Sequence, residues 1–484
     1  MITLGIDVGT SGLKVVLVGD DDRVIGHSSQ PLTVSRPHTG WSEQSPEDWW
    51  TATCLCLDEL KQNHAAELAE TAAIGLSGQM HGATLLDAAG VVLRPCMLWN
   101  DGRSDVECAE LERDWPDLHA VTGNLAMPGF TAPKVRWVKK HEPEVFARIA
   151  KVLLPKAYLR YRLSGEHAED MSDASGTLWL DVGRRRWSPA ALAACGLRLD
   201  QMPRLVEGSE VAGALSPGLT ARWGFRRAPL IAGGAGDNAA GAVGVGAVHP
   251  GDAFISLGTS GVLWATTARF APNPARAVHA FCHALPNTWH QMGVLLSAAA
   301  SLAWWAAVSG RHEPDLLGEV DPAASAASPV WFAPYLSGER TPHNDTRVRG
   351  GFLGLAGDTT RAHLTQAVLE GVAYALKDAQ QALAASGTVL SEAALIGGGA
   401  RSPLWAQIIA DVLGLPLHQV AESEIGCALG AARLARMAAG ESIAVARPAT
   451  RLRSFEPRAV QVALHAQRHA HWQRLYPLAR DFAR

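Results

Sequence analysis

A short glycine-rich turn occurs twice in this chain, and nothing else in the sequence restricts the fold as much. Residues 4–12 read Leu-Gly-Ile-Asp-Val-Gly-Thr-Ser-Gly, and residues 257–261 read Leu-Gly-Thr-Ser-Gly. Each copy follows an apolar, strand-like run and leads into another (Leu13 to Val18, Val262 to Thr266), which makes each a β-hairpin with a Gly-Thr-Ser-Gly tip. Glycine lets the main chain approach a phosphate closely. The hydroxyls and N–H groups of Gly9, Thr10, Ser11 and of Gly258, Thr259, Ser260 can then donate to it. Asp7 stands at the mouth of the first tip, where a hard Mg²⁺ ion on a phosphate wants an oxygen ligand. Lys14, on the outgoing strand, can reach back to a terminal phosphate and offset charge during transfer; the plain alternative is a surface lysine. Two such hairpins predict two related domains that grip one nucleotide.

Strand-like runs alternate with helical patterns along the whole chain, which predicts an α/β protein. Strands are expected at Ala73–Leu76, Leu230–Ala232 and Ala253–Leu257, and helices at Trp49–Gln62, Leu364–Ala385 and Leu404–Leu413. The tips are too far apart for a solenoid repeat, so a duplicated domain is the simpler reading, with residues 1–248 and 249–484 as the two halves. A chain of 484 residues with 48% hydrophobic content can bury two cores. A net charge of −4 gives no general pull toward nucleic acid or an anionic membrane. Seven scattered cysteines without a CxxC pair predict reduced thiols and a cytoplasmic home, and Met1–Leu4 leads straight into a strand with no signal peptide. The uncharged stretch Met292–Val308 is short for a membrane span and reads as a buried helix. Ala323–Ala327 reads as a small-residue loop. The segment from Arg433 onward carries ten Arg and reads as a solvated helical tail packed on its apolar face; binding to RNA or an anionic surface is the alternative.

No Lys follows a Gly anywhere, so a Walker A loop is excluded. Gly234-Ala-Gly-Asp-Asn-Ala239 formally fits a dinucleotide fingerprint, but Asp237 would repel the pyrophosphate. A carboxylate after a strand, exposed by glycines and opening a small-residue helix, suits a base that takes a proton from an attacking hydroxyl; an N-cap role is compatible. Gly397-Gly398-Gly399-Ala400-Arg401, between a strand and a helix, leaves room for a flat base or sugar, or is simply a tight turn. Gln79, Met80 and His81, with Asn100, Asp101 and Arg103, supply the hydrogen-bonding types a polyhydroxylated ligand needs; a structural histidine and a loop salt bridge are the alternatives. His279-Ala-Phe-Cys-His283 has metal-like residue types but not a zinc spacing, and reads as packed strand or loop.

Together these elements resemble the FGGY carbohydrate kinases over nearly the whole chain. Residues 129–141 (Gly-Phe-Thr-Ala-Pro-Lys-Val-Arg-Trp-Val-Lys-Lys-His) are similar to the family's first signature. Gly350-Gly-Phe-Leu-Gly-Leu355 with His363-Leu364 and Ala367–Glu370 is similar to the second. The resemblance implies an actin-like fold: two ribonuclease-H-like α/β domains flanking a nucleotide and sugar cleft that closes on ligand. It implies ATP and Mg²⁺, with Asp7 organising the metal, Gly9, Thr10, Ser11 and Lys14 on the first phosphate site, and Gly258, Thr259 and Ser260 on the second. Gly398, Gly399, Ala400 and Arg401 match the adenosine motif and Asp237 the catalytic base. Gln79-Met-His-Gly82 resembles the branch acting on D-xylulose, whereas glycerol kinases carry Arg-Glu there; 99–103 and 337–343 agree with that branch. The expected reaction is ATP-dependent phosphorylation of D-xylulose at O5, with the sugar held by Met80, His81, Asn100 and Asn238. Other ketoses or polyols (ribulose, fuculose, gluconate) and a non-catalytic actin-like ATP-binding module are the alternatives. A homodimer is expected from the family alone.

Overall fold

The structure, a computed structural model, describes residues 1–321, 328–421 and 426–483, so the loop expected at Ala323–Ala327 lies outside the described residues. The chain divides into two compact units. The first comprises Met1–Val248, Phe281–Trp289 and a third segment near the C-terminus ending at Pro448; the second comprises the remainder.

In the first unit, strands rich in β-branched residues, Ile2–Val8 and Gly12–Val18, make a hairpin paired so that Asp7 faces Lys14. Ile2–Val8 runs parallel to Thr71–Gly78, which in turn runs parallel to Leu230–Ala232 and to the short strand Ala235–Gly236. One face of this sheet buries Leu4, Ile6, Val8, Val15, Leu17 and Leu76 against the helix Pro46–Asn63, whose Trp49, Cys56 and Leu57 are fully covered. The other face is cut to fit a backbone. A Cβ on Gly5 or Gly75 would collide with the carbonyls of Ala428 and Ala431, on the helix Gly426–Ala438, and a Cβ on Gly430 with that of Ala240. Small residues thus let that helix lie directly on the sheet and on the helix Asp237–Val245. Arg433 finishes the joint, donating to the carbonyls of Val243 (2.9 Å) and Gly244 (3.1 Å) at the C-terminal end of Asp237–Val245, where a cation is favoured.

The second unit repeats the plan. In the first sheet the strand order is Val211–Ala214, Leu230–Ala232, Thr71–Gly78, Ile2–Val8, Gly12–Val18, Val24–Pro31; in the second it is Arg451–Phe455, Leu417–Val420, Ala393–Ile396, Ala253–Leu257, Gly261–Thr267, Trp289–Leu295, His279–Cys282. The hairpin strand lies third or fourth from one end in both, beside a parallel neighbour, which is the duplication expected from the repeated tip.

Two expectations are corrected. Met292–Val308 is not one helix: its first residues finish the strand Trp289–Leu295, and the helix begins at Ala299. An apolar run alone does not tell a buried strand from a helix. No described helix is long and apolar enough to cross a membrane. The arginine-rich segment is not a solvated tail throughout. Arg433 and Arg436 are buried and pair with Asp22 (2.9 and 3.3 Å), while Arg458 and Arg468 pair with the buried Asp411 (2.7 Å) and Glu370 (3.3 Å).

Candidate active site

Parallel pairing in the first unit brings three strand C-termini side by side, the place where open α/β sheets present their chemistry. Asp7 lies opposite Ser77, Ser77 opposite Ala235, and Gly78 opposite both Val8 and Gly236. The chain leaves these ends as the Gly9–Ser11 tip, as Gln79-Met80-His81, and as Asp237. Asp237 is the first residue of its helix; Gly236, not Asp237, is the N-cap. Its Oδ1 accepts from the main-chain N of Asn238 (2.7 Å) and from Asn238 Nδ2 (2.9 Å). Burial, with the nearby Asp7 carboxylate second, pushes Asp237 up to about 6 against these two donors. Burial also raises Asp7, partly offset by the Ser77 hydroxyl and the Lys14 ammonium. Asp7 Oδ1 is buried without a hydrogen-bond partner among the described residues.

The sugar-side candidates separate into two groups. His81 is half-buried with a left-handed backbone (φ 72°), and its Nδ1 lies 2.7 Å from the Gly176 carbonyl. A carbonyl only accepts, so Nδ1 carries a proton. Phe130 packs edge-on against the imidazole at 4.7 Å. Asn100 is exposed and Asn238 half-buried. The rest face inward. Met80 packs where a Cβ on Gly236 would meet its sulfur at 2.9 Å. Asp101 accepts from the Ser42 N–H (2.6 Å) and from Arg103 (2.6 and 2.9 Å), and the Arg103 guanidinium lies 3.5 Å over the Trp41 ring and 2.8 Å from Glu43. Gln79 is buried, accepts from the Thr10 hydroxyl (3.0 Å) and donates to Gln44 (2.9 Å). Gln79, Asp101 and Arg103 thus have internal partners for their polar atoms and hold the shape of the site.

Gln44 was not singled out from the sequence. It donates to the Thr10 carbonyl (2.7 Å) and accepts from Trp49 Nε1 (3.0 Å), while Trp99 Nε1 donates to the Thr10 hydroxyl (2.9 Å). These contacts fix the first tip from behind, and a lone glutamine 34 positions away carries no local signal of them.

In the second unit the parallel strands Ala253–Leu257 and Ala393–Ile396 end in the tip Gly258–Ser260 and in the turn at Gly397. Thr259 and Ser260 are exposed, and the carbonyls of Gly258 and Thr259 accept from the N–H groups of Ala299 and Ala298, both at 2.9 Å. Gly397 has φ 92°, and a Cβ there would lie 2.7 Å from the Leu257 carbonyl; a Cβ on Gly398 would meet nothing within 4 Å. Gly398–Arg401 is a short 3-10 turn with Ala400 buried and Arg401 exposed, and Ser402 caps the helix Pro403–Leu413. Gly234, the first glycine of the formal fingerprint, is needed because a Cβ there would strike the Leu76 carbonyl, and its neighbour Gly233 because one there would strike the Glu207 carbonyl. His279–Cys282 is a buried strand, as expected. Among the described residues, the one His/Cys/Asp/Glu cluster of metal-like proximity is Glu169, Asp170 and Asp173, and Lys156 is already there, at 2.5, 2.9 and 3.5 Å.

Residues 2–244 match the N-terminal domain of the FGGY family of carbohydrate kinases and residues 253–439 its C-terminal domain. The chain is 51% identical over 477 residues to a xylulose kinase of Escherichia coli K12, covering 98% of both chains. It is 37% identical to a xylulose kinase of Bacillus subtilis, covering 90% of this chain and 88% of that one. Among solved structures, a xyloylose kinase from Brucella ovis superposes with a TM-score of 0.97 at 49% identity over 100% of both chains.

Proposed function

This chain belongs to the FGGY family of carbohydrate kinases, and on that premise we propose how its residues divide the work. It is a sugar kinase of actin-like, ribonuclease-H-like fold that transfers the γ-phosphoryl group of ATP to xylulose. We assign Asp237 as the general base: its carboxylate takes the proton of the xylulose O5 hydroxyl as that oxygen attacks the γ-phosphorus and ADP leaves. The observation that carries this is a carboxyl group raised to about 6 at the end of the parallel strands, so that near neutral pH it is ionised yet basic enough to accept a proton.

Asp7 fits a divalent cation, because it offers a buried oxygen with no hydrogen-bond partner beside a second carboxylate. Mg²⁺ there would neutralise phosphate charge in a transition state that needs positioning more than covalent help. Lys14 and the tip residues Gly9, Thr10 and Ser11 serve the transferring phosphate, and Gly258, Thr259 and Ser260 the rest of the ATP chain. The open Gly398–Gly399 turn with Ala400 and Arg401 takes the adenosine, since nothing at Gly398 fills the space. His81, Asn100 and Asn238 bind the sugar, with Met80 as an apolar wall. Seven cysteines without a disulfide fit a reducing compartment, and we place the protein in the cytoplasm; the homodimer expected from the family is read by sedimentation.

The test is ADP release with MgATP and a panel of D-xylulose, D-ribulose, L-ribulose, L-fuculose, glycerol, gluconate or no sugar. D-xylulose is expected to give the largest kcat/KM. A larger value for another sugar overturns the sugar-side assignment, because a polar site that pairs substrate hydroxyls strongly rejects analogues that leave its groups unpaired.

A further inference from the structure

Deep in the first unit lies a cluster of charges that the phosphoryl transfer does not use directly. The Lys156 ammonium is fully buried and contacts Glu169 (2.5 Å), Asp170 (2.9 Å) and Asp173 (3.5 Å), all buried themselves. Arg160, also buried, donates to the carbonyls of Ala168 and Gly233. Burying this many charges costs more than an apolar packing of the same volume, so it calls for a structural output.

That output is one short turn, Met171–Ser175, followed by Gly176. Asp170 caps it, accepting from the Ser172 N–H (2.7 Å) and from the Ser172 hydroxyl (2.5 Å). The Ser172 Oγ, its proton given to Asp170, then accepts from the Gly236 N–H (3.1 Å), the residue immediately before Asp237. Four residues further on, the Gly176 carbonyl accepts from His81 Nδ1 (2.7 Å). A Cβ on Gly176 would strike the His81 ring, and one on Gly236 would strike Met80 at 2.8 Å, so the turn, the base and the sugar-side residues are packed without slack.

We propose that Ser172 is a positioning residue for Asp237: its hydroxyl, oriented by Asp170 and Lys156, fixes the Gly236 amide and with it the first turn of the helix that Asp237 opens. This rests on Asp237 being the general base. Proton transfer in a near-attack geometry tolerates little displacement, so loosening Gly236 lowers turnover without touching substrate.

The experiment is a double-mutant cycle on kcat with Ser172→Ala and Asp237→Asn, with melting curves for every variant. Ser172→Ala alone is expected to lower kcat by about tenfold or more, a fraction of the loss that misplacing a reacting group by an ångström brings. The KM for ATP stays within about twofold, because the residues assigned to ATP's adenosine are in the other unit. In the Asp237→Asn background the same substitution changes the residual kcat by less than about twofold, since there is no base left to misplace. If Ser172→Ala multiplies the loss in that background as it does in the wild type, or leaves wild-type kcat intact, the positioning role is overturned. If Asp237→Asn itself keeps near-normal kcat, the base assignment fails, and that single variant shows it whatever Ser172 does. Should Ser172→Ala not fold, Ser172→Cys, slightly larger and a weaker donor and acceptor than the hydroxyl, carries the same cycle.

Discussion

The two hairpin tips share Gly-Thr-Ser-Gly and the same place in equivalent sheets, but differ in what flanks them. At the first, Asp7 faces Lys14 across the strand pair, and Asp237 follows two parallel strands away. At the second, the positions matching Asp7 and Lys14 in sequence are Ser256 and Leu263, although the tighter register pairs Ser256 with Val262, and the neighbouring strand ends in three glycines. One copy of the plan has been charged and the other left to backbone. Under the assignment proposed above, the lesson is a division of labour: charge belongs where a proton and a phosphoryl group move, and bare main chain suffices where a nucleotide is only held.

Asp237→Asn breaks the contrast most forcefully, since it discharges the charged copy. Its kcat is expected to fall by ~10²–10⁴-fold with the KM for ATP little changed; steady-state kinetics decide, and a variant above a tenth of wild-type kcat would refute the base. The reciprocal exchange comes next. Lys14→Leu should fold and lose turnover, whereas Leu263→Lys puts an unpaired ammonium into a fully buried position and should cost about 3–5 kcal/mol of stability, seen in denaturant melts. If Leu263→Lys folds normally, the second hairpin is not the apolar element described.

A smaller effect is acid inhibition. Asp237 takes up a proton below about 6, so kcat/KM should fall about tenfold per pH unit under that value, and Asp237→Asn should lose this limb. The sign for stability is the reverse. A carboxyl raised by the fold costs stability once ionised, from about pH 4 upward through 6. Asp237→Asn should therefore melt above the wild type at pH 8, with the gap closing toward pH 4. The mildest test compares two adjacent glycines of the neutral copy. Gly397→Ala, at φ 92° and close against Leu257, should lose about 1–3 kcal/mol, whereas Gly398→Ala should melt normally and show only a raised KM for ATP.

What the sequence discloses is local. The tips, the strands into them and the placement of Asp237 after a glycine-exposed strand follow from patterns a few residues long. Met292–Val308 misled because a run without polar alternation has no period to read. Gln79, Asp101 and Arg103 carry ligand-like chemistry, and only their partners, Thr10 and Gln44 for the first and Ser42, Glu43 and Trp41 for the pair, show that it is turned inward. Ser172 was invisible for the same reason: its acceptor role joins it to a residue 64 positions away.

The helix Gly426–Ala438 lies on Gly5 and Gly75 and against Asp237–Val245, and this has a consequence for synthesis. A ribosome delivers the first hairpin at once but withholds its covering helix until nearly the whole second unit has emerged. At 5–20 residues per second that interval is on the order of 20–80 s. Throughout it, Val16 and Val18 lack the Ala428, Leu429 and Ala432 side chains that complete their cluster. The unit whose translation begins first thus cannot become native until long after its first sheet is made, and a nascent chain of this length depends on whatever shields that strip of sheet until residue 438 clears the tunnel.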